Sequence, residues 1–184
     1  GNSACDVAVE TSRVSTKTAI SWRRGYRILP KFLMGKPTDV FAIKMNFLPI
    51  FLRNLLAGFI AYINNGSNKI YGLPEPDHKF GATHPTINSE LLYKIRHGKI
   101  KPRVEIDRFE GKKVFFKDKS KEDFDVVIAC TGFVLAHPFF DKKFLNYSEG
   151  PVPLYLKMFH PTYDNLYFIG MFQPLGCIWP GAEQ

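Results

Sequence analysis

The sequence predicts an α/β protein, and three observations carry that expectation. A small-residue loop, Gly1-Asn2-Ser3-Ala4, runs directly into an apolar-patterned helix. Two continuous apolar runs, residues 124–130 and 166–170, suit strands covered on both faces. Helical spacing over residues 89–97 stands between extended segments, the alternation expected of an α/β architecture.

Each element has a local reason. Residues 3–12 read as a helix capped by Asn2 or Ser3, whose side-chain oxygens can accept a first-turn amide. Residues 17–22 are rich in β-branched and aromatic side chains and read as a short strand. This is the order of a β-α-β unit without its first strand, and with no initiator Met the chain is expected to be a piece of a longer protein. From residue 25 to about 76 the pattern changes. Pro30, Pro37, Pro49, Pro74 and Pro76 punctuate an apolar, aromatic stretch holding one long helical candidate over 48–63, which reads as an insertion or lid. The helix over 89–97 is closed by Gly98 at the position where a left-handed residue ends helices. Extended chain follows over 100–109, then a turn at Glu110-Gly111, a strand over 114–117, a second turn over 118–121, and the apolar run 124–130.

Composition narrows the function classes. With 184 residues, 45% hydrophobic and 15% aromatic, the chain can bury a core, which excludes a disordered protein. The balance of 25 Lys+Arg against 17 Asp+Glu, a net +8, suits anionic partners. The basic residues are scattered and no aromatic pattern interleaves with them, so no nucleic-acid partner is expected. Cys5, Cys130 and Cys177 lack paired spacing and the five histidines are dispersed, so neither a disulfide framework nor a metal site is expected. A reducing compartment, the cytoplasm, fits such cysteines; the alternative is a peripheral position on an intracellular membrane. Residues 47–63 approach spanning length but carry Pro49, Arg53 and Asn54, which points to a buried or interfacial helix and to membrane contact that is peripheral. Oligomeric state is not legible.

Three constellations can carry chemistry. In dinucleotide-binding units the end of the second strand, roughly 20 residues past the small-residue loop, meets the adenosine ribose; a carboxylate there suits a free 2′-hydroxyl, and Arg suits a 2′-phosphate. Arg23-Arg24 occupy that place, which favours NADP over NAD, with a solvated basic turn as the plain alternative. Gly1 lets the backbone approach a diphosphate, Ala4 lets the helix pack closely, and Ser3 offers a hydroxyl; an ordinary strand-to-helix turn has the same residues. A nucleophilic Ser3 is disfavoured because the elbow motif's last Gly is replaced. In the second constellation Thr131-Gly132 follow the run 124–130, at the sheet edge where α/β proteins place ligands, or simply at a strand's end. The third is Gln173-Pro174-Leu175-Gly176 after 166–170, followed by Pro180 at an expected helix start whose amides suit negative charge; a packing turn is the alternative.

Together, residues 1–6 (Gly-Asn-Ser-Ala-Cys-Asp), 21–25 (Ser-Trp-Arg-Arg-Gly), 125–133 (Asp-Val-Val-Ile-Ala-Cys-Thr-Gly-Phe) and 169–176 (Ile-Gly-Met-Phe-Gln-Pro-Leu-Gly) resemble the flavin-containing monooxygenases. The resemblance covers nearly the whole chain and is weakest over 36–70. It departs from the family pattern at Phe133, where the usual Tyr hydroxyl is missing. It implies a Rossmann-like NADP-binding domain over 1–27 and 77–133, interrupted by a helical insertion over 28–76, with a returning part of a Rossmann-like FAD domain over 134–184. It implies that Gly1, Asn2, Ser3, Ala4, Arg23 and Arg24 hold NADP, that Thr131 and Gly132 lie near the domain crossing, and that Gln173, Pro174, Leu175 and Gly176 help seat FAD. The implied reaction inserts one oxygen atom of O2 into a nitrogen, sulfur or carbonyl small-molecule substrate through a hydroperoxyflavin, with no side-chain acid or base standing out as catalyst. The 184-residue piece alone is expected to be inactive. The alternatives are an NADP-dependent flavoprotein reductase, disfavoured by the lack of a Cys-x-x-Cys pair, and a non-catalytic dinucleotide-binding fragment.

Overall fold

A computed structural model describes residues 1–80, 82–133, 137–141, 143–144 and 154–171. The chain divides into two units, Gly1–Thr131 and Gly132–Gln184. In chain order the first contains α1 (Asn2–Val14), β1 (Thr18–Ser21), β2 (Ile28–Leu29), β3 (Phe32–Leu33), β4 (Lys36–Pro37), α2 (Thr38–Lys44), α3 (Ile50–Asn65), β5 (Thr86–Ile87), α4 (Leu91–Arg96), β6 (Ile100–Arg103), β7 (Ile106–Glu110), β8 (Lys113–Phe116) and β9 (Lys121–Asp123).

The core grows from α1 and β1. Cys5, Ala8 and Val9 fall on one helical stripe and are buried, while Glu10 and Arg13 remain outside. A short linker reverses the chain into β1, which pairs in parallel with β6, Thr18 opposite Ile100 and Ser21 opposite Arg103. The α1 stripe packs on Ile20 and Ile100 together with Leu91 and Ile95 of α4. Because α1 packs on the strand that follows it so closely, its first turn lies at the end where β1 and β6 finish. A shorter parallel pair, β2 with β5, sets Ile28 opposite Thr86.

Local chemistry ends the elements as expected. Gly98 takes φ 68° and its N–H donates to the Ile95 carbonyl at 3.0 Å, closing α4. At the other end of α4 the buried Asn88 side chain accepts from the Glu90 and Leu91 amides at 2.9 and 2.7 Å. The two-residue turn between β3 and β4 places Met34 and Gly35 at φ 49° and 76°, which matches the twist of a tight hairpin. β7, β8 and β9 form an antiparallel meander that buries Val114 and Phe116. From β9, Glu122 reaches Lys17 at 2.8 Å and Arg103 at 2.6 Å, fastening the meander to the β1–β6 pair.

Several expectations are corrected. Residues 124–130 form no strand, and Val126, Val127 and Ile128 are 73, 52 and 54% exposed. An apolar run becomes a covered strand only where neighbours reach it, and among the described residues none pairs with this one. Residues 166–170 likewise make only an isolated bridge, Phe159 to Tyr167, and of that run Phe168 is buried while Ile169 is exposed. The helix N-cap is Gly1, with no side-chain cap; neither Asn2 nor Ser3 plays that part. Asn2 is already helical, and its Oδ1 accepts from the Ile87 amide at 2.8 Å. The helix foreseen over 48–63 forms as α3, yet none of its residues is buried. The helix start expected at Pro180 lies outside the described residues.

In the second unit the described residues form an aromatic cluster. Phe144 stacks on His160 with centroids 5.7 Å apart, and Phe168 packs edge-on to His137. The Phe168 N–H donates to the Met158 carbonyl at 2.8 Å.

Candidate functional site

The α1 first turn carries no acidic residue and no capping side chain, so its free amides face outward with their positive end of the helix dipole uncompensated. Gly1, Asn2 and Ser3 are exposed, and a Cβ on Gly1 would meet nothing within 4 Å. Ala4 is half-buried against the core, the close packing its small side chain permits. Two bonds fix this turn to the chain leading out of β5. Asn2 accepts from the Ile87 amide, and Asp6 accepts from Asn88 Nδ2 at 2.8 Å.

Arg23 and Arg24 lie just past the C-terminal end of β1, at the same end of the unit as that first turn, and both are exposed. The segment carrying them is held from below. The Trp22 N–H donates to the Arg103 carbonyl at 2.9 Å and its ring is in the core. Gly25 packs so tightly that a Cβ would stand 2.2 Å from the Glu75 carbonyl oxygen. The Arg24 guanidinium lies over the Tyr26 ring, 5.2 Å from its centroid. Hydrogen bonding to the Tyr26 side chain pushes the Arg24 pKa further up. Beside it, Asp77 is held below the usual carboxylate range, first by its bond to His78 at 2.8 Å and more weakly by the Arg24 charge. His78 Nε2 in turn bonds Thr83 at 2.7 Å.

The nucleophiles at this end are unsuited to covalent work. Burial pushes the Cys5 thiol up to about 11, so it stays protonated at neutral pH. The Ser3 hydroxyl has no hydrogen-bonding base among the described residues, and a Ser nucleophile needs one. A polar depression of about 430 Å³, lined by Lys17, His97, Lys99, Lys101 and Glu122, opens at the opposite end of the β1–β6 pair. Burial of Glu122 opposes its charge, but bonds from Lys17 and Arg103 outweigh this and hold the carboxyl below its ordinary range.

The structure thus brings Gly1, Asn2, Ser3 and Ala4 to the same end as Arg23 and Arg24. Thr131 and Gly132 are exposed at the boundary of the two units, with Gly132 at φ 97°. Gln173, Pro174, Leu175 and Gly176 lie outside the described residues. Sequence reasoning passed over Tyr26, Asn88 and the Asn2–Ile87 tie. Of these only Asn88 has a local signal, an Asn ahead of Glu90 and an apolar run, which marks a helix start.

A model of the flavin-binding monooxygenase-like family matches residues 1–184. The chain belongs to that family. It is 34% identical to flavin-containing monooxygenase 5 of Cavia porcellus, over all of this chain and 36% of that protein. Dimethylaniline monooxygenase (N-oxide-forming) 2 of Oryctolagus cuniculus is 32% identical over the same shares. Flavin-containing monooxygenase 5 of Homo sapiens is also 32% identical, again over all of this chain and 36% of the relative. The chain therefore spans about a third of the length of these relatives. Membership implies a flavin cofactor and Rossmann-type dinucleotide-binding folds, in keeping with the mixed helix and strand architecture.

Proposed function

We propose that this chain is the NADP-binding portion, with helical insertion, together with a returning part of the FAD domain, of an FAD- and NADPH-dependent monooxygenase that inserts one oxygen atom of O2 into a nitrogen, sulfur or carbonyl group of a small molecule. The reading rests on one observation: an uncapped helix N-terminus and two exposed guanidiniums share one end of a βα unit. Those residues fit a phosphorylated dinucleotide. The α1 amides at Asn2, Ser3 and Ala4 would bind the diphosphate, Gly1 leaves the approach open, and Arg23 and Arg24 would take the 2′-phosphate through charge-assisted bonds.

In this reading residues 1–27 and 77–133 make up the NADP-binding domain around the insertion 28–76, and residues 134–184 belong to the FAD domain. Thr131 and Gly132 would lie where the domains cross, and Gln173, Pro174, Leu175 and Gly176 would help seat FAD. The flavin, when bound, supplies the electron transfer and oxygen activation. The chain's own part is to bind and orient the nicotinamide nucleotide, and no acid or base here is assigned a proton.

The insertion supports a partner beyond the substrate. Phe51, Leu55, Phe59, Tyr62 and Ile63 form one exposed apolar stripe on α3, and its sole charge, Arg53, is bonded to Asn46. A face of that kind suits peripheral contact with a membrane from the cytoplasmic side. No described helix is long and apolar enough to cross one.

Nucleotide binding to the full-length protein tests the assignment. Replacing both Arg23 and Arg24 by Ala should weaken NADPH by about 2–4 kcal/mol while leaving NADH within about twofold. Equal losses for both nucleotides would remove the 2′-phosphate reading. NADPH oxidation without substrate oxygenation in the full-length protein would favour a reductase, and binding without oxidation a non-catalytic role.

A further inference from the structure

We infer that the polar depression at the opposite end of the β1–β6 pair is a second anion site, that it takes a phosphate monoester, and that Lys99 and Lys101 are its principal ligands. The site stands apart from the nucleotide reading, because it lies where β1 and β6 begin, whereas the α1 first turn and the arginine pair lie where they finish. Its volume of about 430 Å³ is that of a small-ligand site and exceeds what a bare phosphate fills, leaving room for the group the phosphate is attached to.

The acceptors around the depression already have their donors. Lys17 and Lys101 approach one oxygen of Glu122 at 2.8 and 3.8 Å, and Arg103 takes the other at 2.6 Å. Both α1 and α4 end here, and bare carbonyls at helix C-termini would repel an anion. These carbonyls are covered. The Ser12 hydroxyl donates to Val9 at 2.6 Å, the Ser15 hydroxyl and amide donate to Thr11 at 2.9 and 3.0 Å, and the Lys99 amide donates to Lys94 at 2.9 Å.

Donors and positive charge, by contrast, are left over. The Lys101 ammonium is too far from Glu122 for a hydrogen bond, and the Lys99 ammonium has no ion pair or hydrogen bond among the described residues. The Thr16 amide and hydroxyl make none there either. Lys99 and Lys101 flank Ile100, which is fixed in the core, so both are turned outward. Lys17, Lys99 and Lys101 face one lining carboxylate, an excess of two positive charges. A phosphate monoester matches that surplus better than a carboxylate does, because it brings about two negative charges at neutral pH and three acceptor oxygens, enough for both free ammoniums and Thr16.

Such a group reaches the site on a soluble phosphorylated molecule or as a lipid headgroup, and the test separates the two. It uses the full-length protein with glycerol 3-phosphate, followed by calorimetry, and with phosphatidylcholine vesicles with and without phosphatidate, followed by sedimentation. Lys99→Gln with Lys101→Gln should weaken binding by about tenfold or more, and Lys99→Arg with Lys101→Arg, which keeps the charge, by less than about threefold. The Gln pair should leave the melting temperature unaltered and NADPH affinity within about twofold, since Lys17 and Arg103 still hold Glu122 and the cofactor end is distant. Arg23→Ala with Arg24→Ala should leave binding of the phosphate probes within about twofold. Glycerol 3-phosphate binding that the Gln pair removes identifies a soluble ester as the ligand; binding of the phosphatidate vesicles alone, removed in the same way, identifies a headgroup. A loss in the arginine variant with none in the Gln pair would place the phosphate in the nucleotide site and overturn the inference. Equal losses in both would reduce the binding to the chain's overall positive charge and overturn it as well. So would the absence of binding to glycerol 3-phosphate up to about 10 mM together with no preference for phosphatidate vesicles.

Discussion

The helices α1 and α3 are of similar length, 13 and 16 residues, yet they reverse the usual link between apolar sequence and burial. α3 is apolar along almost its whole length and carries one charge, yet its residues are at most half-buried; α1 is interrupted by Asp6, Glu10 and Arg13 and buries Cys5, Ala8 and Val9. The difference lies in the neighbours. α1 has the β1–β6 pair and α4 against it, so a narrow stripe of three side chains finds a surface to fit. Hydrophobicity supplies a driving force, and only a facing element converts it into packing.

The largest expected effect lies on the α1 side. Ile100→Ala or Leu91→Ala should cost about 3–4 kcal/mol in denaturant unfolding, since each side chain is enclosed and would leave a cavity. The paired change on α3, Phe51→Ser or Phe59→Ser, should stay within about 0.5 kcal/mol in water. A loss on α3 equal to that at Ile100 would break the comparison by showing its stripe covered in the full-length protein. If the stripe faces lipid, the same Phe variants should instead weaken sedimentation with phospholipid vesicles severalfold.

Gly25→Ala comes next, at about 2 kcal/mol or more, because the obstructing atom is a backbone carbonyl that cannot turn aside. Glu122→Gln should cost about 1–2 kcal/mol by weakening its bonds to Lys17 and Arg103. Its sign with pH is set by the depressed carboxyl. The stabilisation is present in full above the ordinary glutamate value of 4.5 and is lost as pH falls through the lower folded value. Urea midpoints from pH 6 down to 3 should thus fall less steeply in the Gln variant. The smallest effect is a gain. Asp77→Asn removes a carboxylate acting on Arg24 and should raise the ratio of NADPH to NADH affinity by about twofold.

Much of the first unit was legible from local pattern. The α1 helix, the β1 strand, the α4 helix with its Gly98 stop and the turn at Gly111 each depend on residues within a few positions of one another, and each formed where spacing placed it. The candidate loop and guanidiniums were legible for the same reason, since a strand of known rise carries Arg23 and Arg24 to a calculable place. What pattern could not supply was company. Residues 124–130 read as a covered strand and stand exposed, because a strand needs a partner the run itself does not encode. Asn2 left its expected capping role because the Ile87 amide, 85 residues away along the chain, competes for the same oxygen.

By itself, then, the amino-acid order determined the helix and turn positions, the family motifs and the charge available to meet a phosphate, all of which act over a few residues. Tertiary structure alone decided which apolar face is buried, which of two adjacent arginines rests on a ring, and which carbonyl closes on Gly25. Those outcomes depend on segments that meet only when the chain folds, and no short-range pattern reports the distance between them.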